Sequence, residues 1–285
     1  KNRRKQVYAQ AFAIYALSEY YTFSGKQEAK DWALSIFRNL EIYARDRQNS
    51  GYFEGFNQDW SALADVRLSK KDMNASKTMN THLHVLEAYT NLLKIHDHPE
   101  LKEALRELIW LFQNKFLNES YSYNLFFDEK WNLQSSKFSF GHDIETAWLV
   151  IEAAKALKDE GLLRQVEETA IKVIDTFVLK ALDRNGAVMN EWDSTSKTFD
   201  TDLHWWPQVE ALVGLKYGYF LTKDKKYLKK SISIWEFTKT YLIDRKNGEW
   251  HFRVDAKGHP YDIEDKVSMW KAPYHTIRAC ISIAH

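Results

Sequence analysis

Long stretches of the chain repeat apolar residues at spacings of three and four, the periodicity of amphipathic helices. In the stretch VYAQAFAIYALSEYYTF, residues 7–23, apolar residues surround nearly the whole helix, which predicts a buried element. In residues 100–117 the apolar residues occupy one face and charged residues the other. The predicted helices span about 7–23, 26–45, 77–95, 100–117, 143–157, 161–182, 202–222, 225–242 and 272 to the end.

Stretches without helical periodicity separate these helices into pairs. They cover residues 49–75, 119–141, 183–200 and 243–270 and contain glycines and aromatic residues. We expect long loops with short strands there. Loops of this length are uncommon in compact domains unless they have a function. Their equivalent places in the chain therefore predict one functional face.

The order helix, short turn, helix and long loop recurs with a period of roughly 60–70 residues, which identifies a repeat protein. Stacked helical hairpins form either an open solenoid or a closed (α/α) toroid. The strongly apolar first helices favour a toroid, in which they form a buried inner ring and the charged second helices lie outside. No Pro/Ser-rich linker separates the hairpins, so we predict an all-α fold and one domain over residues 1–285.

Composition narrows the function classes. Among 285 residues, 40 Lys and Arg balance 39 Asp and Glu, and this near-neutrality argues against a nucleic-acid-binding surface. No run of about 18 apolar residues is present, so we expect no membrane span. The single cysteine, Cys280, excludes an intrachain disulfide and a cysteine-based zinc site. Without a secretory signal, we expect a cytoplasmic protein.

Polar and aromatic residues cluster where alternate helices begin. In a toroid the inner helices all point the same way, so their N-termini surround one mouth. Helix N-termini present free N–H groups and partial positive charge, which suit oxygen-rich ligands. The candidate pocket residues are Asn80, His84, His142, Glu145, Trp205, Trp206, Glu210, Trp270 and His275.

This set suits proton transfer on a sugar. Histidine titrates near neutral pH and can take and return a proton, and two histidines can serve both faces of a planar intermediate. Glu145 follows His142 by three residues, close enough to orient its ring. Tryptophan faces pack on the apolar faces of sugar rings. Taken singly, His142 could equally be a helix cap, and Trp205-Trp206 could equally be core packing.

Two other chemistries remain open from the residues alone. Three histidines and a glutamate could hold a divalent cation, but HExxH is absent and the candidates come from distant segments, so we predict no metal site. A pair of carboxylates could hydrolyse a glycosidic bond. The sequence gives no reason to choose a pair among Asp143, Glu145, Glu191, Asp193, Glu210 and Glu249.

At these motifs the chain resembles the N-acylglucosamine 2-epimerase superfamily, and within it the cellobiose 2-epimerase branch. The matching stretches are NTHLHVLEAYTNL (80–92), FGHDIETAWLVIEAA (140–154), HWWPQVEALVG (204–214) and DKVSMWKAPYHTIRAC (265–280). The resemblance implies an (α/α)6 barrel and inversion at C2 of the reducing-end sugar of a β-1,4 disaccharide, without a cofactor. It implies proton abstraction by one histidine, a cis-enediolate, rotation about C2–C3 and proton return by a second histidine.

The resemblance also assigns roles. His142 and His275 match the two acid/base histidines, and His84 matches a third pocket histidine that holds the substrate oxygens. Asn80 and Glu145 match supporting polar residues, with Glu145 orienting His142. Trp270 and one of Trp205 and Trp206 match the sugar-stacking platform.

The chain departs from the family pattern at its beginning. The match starts inside the pattern, so we expect that about three helices, roughly 100 residues, precede Lys1 in the family, including an arginine that binds the enediolate region. A barrel without them would expose apolar surface on 7–23 and on the last helix, so we expect self-association or a covering partner. An aldose–ketose isomerase, an (α/α)-barrel glycoside hydrolase or lyase, and a non-catalytic carbohydrate binder remain alternatives.

Overall fold

A computed structural model describes residues 3–261 and 263–284 of the chain, and its regular structure there is almost entirely helical. Its α-helices in this part of the chain are α1 Val7–Ser24, α2 Gln27–Asn39, α3 Met79–Ile95, α4 Pro99–Leu111, α5 Phe140–Leu157, α6 Glu160–Lys180, α7 Trp205–Thr222, α8 Lys225–Phe237 and α9 Tyr274–Ala284. One π-helical turn extends each of α2, α4 and α8. The predicted all-α class and the pairing of helices are confirmed.

Several predicted helix starts were wrong by two or three residues, and two of them matter for the site. α5 begins at Phe140, so His142 lies inside its first turn and does not precede the helix. α9 begins at Tyr274, two residues later than predicted, so His275 is its second residue. A short strand that runs directly into α5 sets the start of this helix, and hydrophobic periodicity does not detect such a strand.

The long loops contain two- and three-residue strands, as predicted, and among the described residues these form four small antiparallel sheets. The pairs are β1 Lys5–Gln6 with β2 Gly55–Phe56, β3 Lys77–Thr78 with β4 Phe126–Phe127, β5 Lys137–Ser139 with β6 Glu191–Asp193, β6 with β7 Thr198–Asp200, and β8 Leu203–His204 with β9 Arg253–Val254. In each sheet one strand leads into the first helix of a hairpin, and its partner comes from the loop after the second helix. This pairing ties the start of the helix to the loop that surrounds it.

Over the described residues, the chain groups into two compact units. The first contains Lys1–Asn118, Asn124–Ser135 and Leu149–Val166, and the second contains Glu119–Tyr123, Ser136–Trp148 and Glu167–His285. The prediction of one domain over 1–285 stays a prediction.

In the first unit, α1 packs on α2 and α3, and α3 packs on α4. The expectation of a buried inner helix is correct for α3, which is buried on nearly every side. It is wrong for α1, whose buried residues form only the stripe Val7, Ala11, Ile14 and Ser18, while Phe23 is 90% exposed. The stripe is the side of α1 that meets α2 and α3.

A repeated polar contact fixes three of the loops to the helices that follow them. His82, Asp143 and Gln208 each lie three residues after the first residue of α3, α5 and α7. Their side chains accept the backbone N–H groups of Tyr52, Tyr123 and Val188, at 2.9, 2.8 and 2.8 Å respectively. Because these contacts satisfy buried backbone donors, they fix the loop ends against the helix starts.

In the second unit, α7 packs on α8 and α9 and also contacts the beginning of α5. Gly214 makes the last contact possible, because a Cβ there would lie 2.4 Å from Ile144 Cγ1. α5 and α9 therefore both lie against α7 within this unit.

Among the described residues, no helix is both long and apolar enough to cross a membrane. The cytoplasmic location and the self-association stay predictions. So does the family segment expected before Lys1, and Lys1 itself lies outside the described residues.

Candidate active site

The second unit brings three predicted site residues from three helices into direct contact. His275 of α9 donates from Nδ1 to Oε1 of Glu210 on α7 over 2.7 Å. Oε1 of Glu145 on α5 lies 3.8 Å from the same ring nitrogen. Both glutamates are fully buried. A buried carboxylate that accepts from Nδ1 fixes the imidazole tautomer and leaves Nε2 as the nitrogen that exchanges protons.

An arginine that the sequence motifs did not single out completes this cluster. Arg278 lies one turn after His275 on α9, and its Nη2 donates to Oε1 of Glu145 and to Oε1 of Glu210, each over 2.6 Å. The guanidinium lies over the rings of Trp148 and Tyr274, at 4.8 and 4.3 Å from their centroids. One cation thus compensates two buried carboxylates.

The charges around Glu210 determine its protonation state. Burial by itself would raise the pKa of this carboxyl, but the charge of Arg278 and the hydrogen bond and charge of His275 outweigh burial and hold its pKa below the ordinary value. Trp148 Nε1 donates a further hydrogen bond to Oε2 over 3.1 Å. Glu210 is therefore a carboxylate at neutral pH and can stabilise a protonated His275.

Trp206 contacts both predicted acid/base histidines. The centroid of its ring lies 4.8 Å from that of His142 and 5.3 Å from that of His275. Gly141 makes room for the indole, because a Cβ at residue 141 would lie 2.3 Å from Trp206 Cη2. The glycine beside His142 is thus a steric requirement of this arrangement.

The structure distinguishes the two adjacent tryptophans that the sequence could not separate. Trp205 is 3% exposed and belongs to a core cluster with Leu203, Phe237 and Val254. Its faces are covered by protein, so the assignment of Trp205 as a sugar platform is corrected to a core residue. Trp206 occupies the position beside the histidines because neighbouring helix positions point about 100° apart.

His142 is held by its own strand. Its Nδ1 lies 2.8 Å from Oγ of Ser139, the last residue of β5. Glu145, predicted to orient His142, contacts Arg278 and His275 as described above. Its role toward His142 stays a prediction.

Trp270 lies in the loop before α9 and is 43% exposed, so part of its surface is open to a ligand. Its role as a sugar platform stays a prediction.

The remaining candidates, Asn80 and His84, belong to the first unit. His84 is buried, and its Nδ1 lies 3.2 Å from Oε2 of Glu87. Its ring packs on Tyr8 and Phe12, with centroids 5.0 and 4.6 Å away. Asn80 is half-buried in the first turn of α3. Their participation in the pocket that the sequence predicts stays a prediction.

Within the described part of the chain, one group of side chains has the donor spacing of a metal site. Donor atoms of Glu145, Glu210 and His275 lie within 4.8 Å of one another. The guanidinium of Arg278 bonds to both carboxylates of this group and supplies their counter-charge. A divalent cation would have to compete with that fixed positive charge, so the donor set suits an arginine better than a metal.

Comparison with known proteins identifies the family. The family model for N-acylglucosamine 2-epimerase (GlcNAc 2-epimerase) matches residues 1–279. Cellobiose 2-epimerase of Bacteroides fragilis is 41% identical over 281 residues, which is 98% of this chain and 71% of the relative. The chain belongs to the N-acylglucosamine 2-epimerase family.

A solved structure of another family member shares the fold. Cellobiose 2-epimerase from Bacillus thermoamylovorans matches with a TM-score of 0.94 and 37% identity, over 99% of this chain and 72% of that one. This match confirms the predicted fold family. A D-mannose isomerase of Marinomonas mediterranea is 24% identical over 97% of this chain and 70% of its own length.

In this member of the N-acylglucosamine 2-epimerase family, one histidine and two glutamates occupy the same position relative to the start of their helices. His84, Glu145 and Glu210 each lie five residues after the first residue of α3, α5 and α7. His142 and His275 lie two residues and one residue after the starts of α5 and α9. His142 and His275 therefore do not share the helix position that His84 occupies.

Sequence reasoning missed Ser139, Trp148 and Arg278. Two of them carried a detectable signal. Arg278 follows His275 by three residues and Trp148 follows Glu145 by three, the spacing that puts side chains on one helix face. Ser139 contacts His142 from the strand before α5, and no helical periodicity indicates that position.

Proposed function

We propose that this chain inverts the configuration at C2 of the reducing-end sugar of a β-1,4-linked disaccharide, interconverting glucose and mannose units, with cellobiose as the representative substrate. Family membership and the names of the relatives support the proposal. One structural observation carries it: Trp206 contacts both His142 and His275, and Glu210 gives His275 the tautomer of a proton-exchanging base.

The reaction starts from the open-chain aldehyde. The carbonyl at C1 acidifies the hydrogen on C2, and one histidine removes that proton through a ring nitrogen. The electrons of the C2–H bond form a C1–C2 double bond, and the negative charge moves to the C1 oxygen, which gives a cis-enediolate. Rotation about C2–C3 exposes the opposite face. The second histidine then donates a proton to C2, and the carbonyl forms again.

Both histidines take both roles, because the reaction runs in both directions. The histidine that removes the C2 proton when the reaction starts from the glucose form returns a proton to C2 when the reaction starts from the mannose form. For His275, the carboxylate of Glu210 stabilises the imidazolium that appears in each cycle. For His142, Ser139 Oγ fixes the ring through Nδ1.

The carboxylate geometry argues against glycoside hydrolysis. Such hydrolysis needs one carboxyl group with a raised pKa as a general acid and a second at a reacting distance. Glu145 and Glu210 are the buried carboxylates beside His275, but both bond to Arg278, and the pKa of Glu210 is lowered. Burial raises the pKa of Asp143 to about 7, but its Oδ1 accepts the backbone N–H of Tyr123 and so fixes a loop.

The same enediolate could be protonated at C1, which would yield a ketose. The D-mannose isomerase relative makes this the second candidate. The position of the returned proton distinguishes the two reactions.

The test is incubation with cellobiose in heavy water. The expected product is glucosyl-mannose with deuterium at C2, identified by NMR and mass spectrometry. A ketose would assign the second candidate, and free glucose would contradict both.

A variant pair sharpens the test. His275→Ala should abolish exchange and leave calorimetric binding of cellobiose within about 1–2 kcal/mol, the range for one lost hydrogen bond. His251→Ala, a half-buried histidine of the loop after α8, serves as the control and should keep full exchange. Exchange that survives in His275→Ala would contradict the two-histidine mechanism.

A further inference from the structure

We propose that Arg278 is a positioning residue of this reaction: by bridging Glu145 and Glu210 it keeps His275 in one orientation and able to give up its proton in every cycle. The inference rests on the proposed epimerase function and adds a residue to it. Arg278 acts through the two carboxylates and is not a catalytic residue.

The guanidinium is held rigidly. It lies over Trp148 and Tyr274, and its Nη1 donates to Oη of Tyr274. Since guanidinium groups stack on aromatic faces with a defined plane, these two rings determine where the N–H groups of Arg278 point.

The fixed fork reaches two helices at once. Nη2 donates to Glu145 on α5 and to Glu210 on α7, and the Oε1 of Glu210 that accepts from Arg278 also accepts from Nδ1 of His275. The orientation of the His275 ring therefore depends on a carboxylate whose own position depends on Arg278. A lysine ammonium at this position would lack the planar fork.

The charge balance gives Arg278 its second effect. With Glu145 and Glu210 ionised, Arg278 and a protonated His275 together neutralise the cluster. Without Arg278, the two negative carboxylates of Glu145 and Glu210 would face a single imidazolium. Two negative charges at this distance would stabilise the protonated form of His275. His275 would then remain protonated at pH values where it has to act as a base.

Several other charged groups lie near His275. Glu145 of α5, Glu210 of α7 and the ring of Tyr274 of α9 face His275 directly. Arg278 of α9 bonds to the two carboxylates. Two further side chains face the tryptophans packed against His275: His142 of α5 lies beside Trp206, and Lys271 of the preceding loop lies over Trp205. Lys271 is paired with Glu249, so Arg278 is the cation that bonds directly to the carboxylates of the cluster.

The test compares Arg278→Gln and Arg278→Lys in the full chain. For Arg278→Gln we expect kcat for C2 exchange to fall about 10- to 100-fold, a part of what general acid–base catalysis contributes, with KM nearly unchanged. On the acid side of the pH–rate profile, the midpoint of the rise in rate should shift to higher pH by roughly 1–2 units. Arg278→Lys restores the charge without the fork, so it should restore the profile more than the rate.

A matched control is available in the same unit. Arg253 also bonds to two carboxylates, those of Asp202 and Glu264, and its contacts include none of the site residues above. Arg253→Gln should leave the pH–rate profile unchanged. An equal shift in this control would show a general effect of charge and overturn the proposal.

A second measurement does not require activity. In chain labelled with 15N-histidine, NMR should show neutral His275 protonated at Nδ1, and in Arg278→Gln the imidazolium should persist to higher pH. The double variant Arg278→Gln/Glu145→Gln removes one charge of each sign and should return the titration of His275 toward that of the parent chain. Neutral His275 protonated at Nε2, or an unshifted titration in Arg278→Gln, would overturn the proposal.

Failures of the two proposals differ. If the parent chain shows no exchange, the epimerase function fails, and the NMR titration still tests Arg278. If the parent chain exchanges and Arg278→Gln keeps its rate and profile, only the role of Arg278 fails. If Arg278→Gln does not fold, Arg278→Lys still tests the fork, since it should lower kcat while the pH–rate profile stays near that of the parent chain, and an unchanged kcat would overturn the proposal.

Discussion

Nδ1 of His275 and Oε1 of Glu210 lie 2.7 Å apart, although 65 residues of chain separate the two side chains. The contact joins the start of α9 to the first turns of α7 inside the second unit. It makes Glu210, which the sequence suggested as a pocket residue without a defined role, the partner of a predicted acid/base histidine.

The variant Glu210→Gln tests this partnership. The amide oxygen of the new side chain could still accept from Nδ1 of His275 but would carry no charge to stabilise the imidazolium. We expect kcat for C2 exchange to fall about 10²- to 10³-fold with little change in KM. Steady-state kinetics on cellobiose measures both. Glu191→Gln, a more exposed carboxylate paired with Lys137, should leave kcat within about twofold, as is usual for surface ion pairs.

Replacing Gly141 by alanine tests the placement of Trp206. The added Cβ would lie 2.3 Å from Cη2 of the indole, so the ring must move away from His142 and His275. We expect a loss of exchange together with destabilisation of about 1–3 kcal/mol, the usual range for overpacking. Gly161→Ala on α6, where the nearest atom would be 3.6 Å away, is the control and should be neutral or stabilising. Unchanged activity in Gly141→Ala would show that the position of Trp206 is unimportant.

The acid sensitivity of the fold should depend on His82. Burial lowers the pKa of His82 to about 3 from the ordinary 6.5. Between these values the unfolded chain binds a proton that the folded chain does not, so the free energy of unfolding should rise with pH over this window, by up to about 1.4 kcal/mol per pH unit. His82→Gln should flatten this rise, because glutamine has no titratable group. Gln208 makes the equivalent contacts in α7 with an amide, so the substitution keeps the contact to the loop. Urea unfolding at several pH values measures it, and an unchanged slope would contradict the assignment.

Glu54 should act in the opposite direction. Burial raises the pKa of its carboxyl to about 8 from the ordinary 4.5, against the lowering effect of hydrogen bonds from Thr81 and Thr78. The folded chain therefore holds a proton that the unfolded chain releases between these values, and the free energy of unfolding should fall as pH rises through that window. Glu54→Gln should remove this fall and be less sensitive to alkaline pH. The same unfolding series checks it, and a variant as alkali-sensitive as the parent would contradict it.

Local sequence pattern accounts for much of the fold. The helices were predictable because each carries either an apolar stripe long enough to show its period or a long run that is apolar nearly all round. The loops were predictable because these patterns stop there. The resemblance assigned His142, His275 and Glu145 to the site, and the structure brings Glu145 and His275 together. Trp206 contacts both histidines.

Other features depended on contacts between distant segments. Trp205 and Trp206 have the same chemistry and adjacent positions, and only the packing of α7 against Phe237 and Val254 buries the first and leaves the second beside the histidines.

What the sequence by itself determined is the set of helices, their pairing and the side chains that could transfer protons, because these follow from periodicity and residue type along one segment. Only the tertiary structure decided which groups set the charge of those side chains. Arg278 bonds to Glu145 across 133 residues and to Glu210 across 68. Charge compensation in a buried cluster depends on distance in space, and distance in space at such separations is determined by how the helices pack.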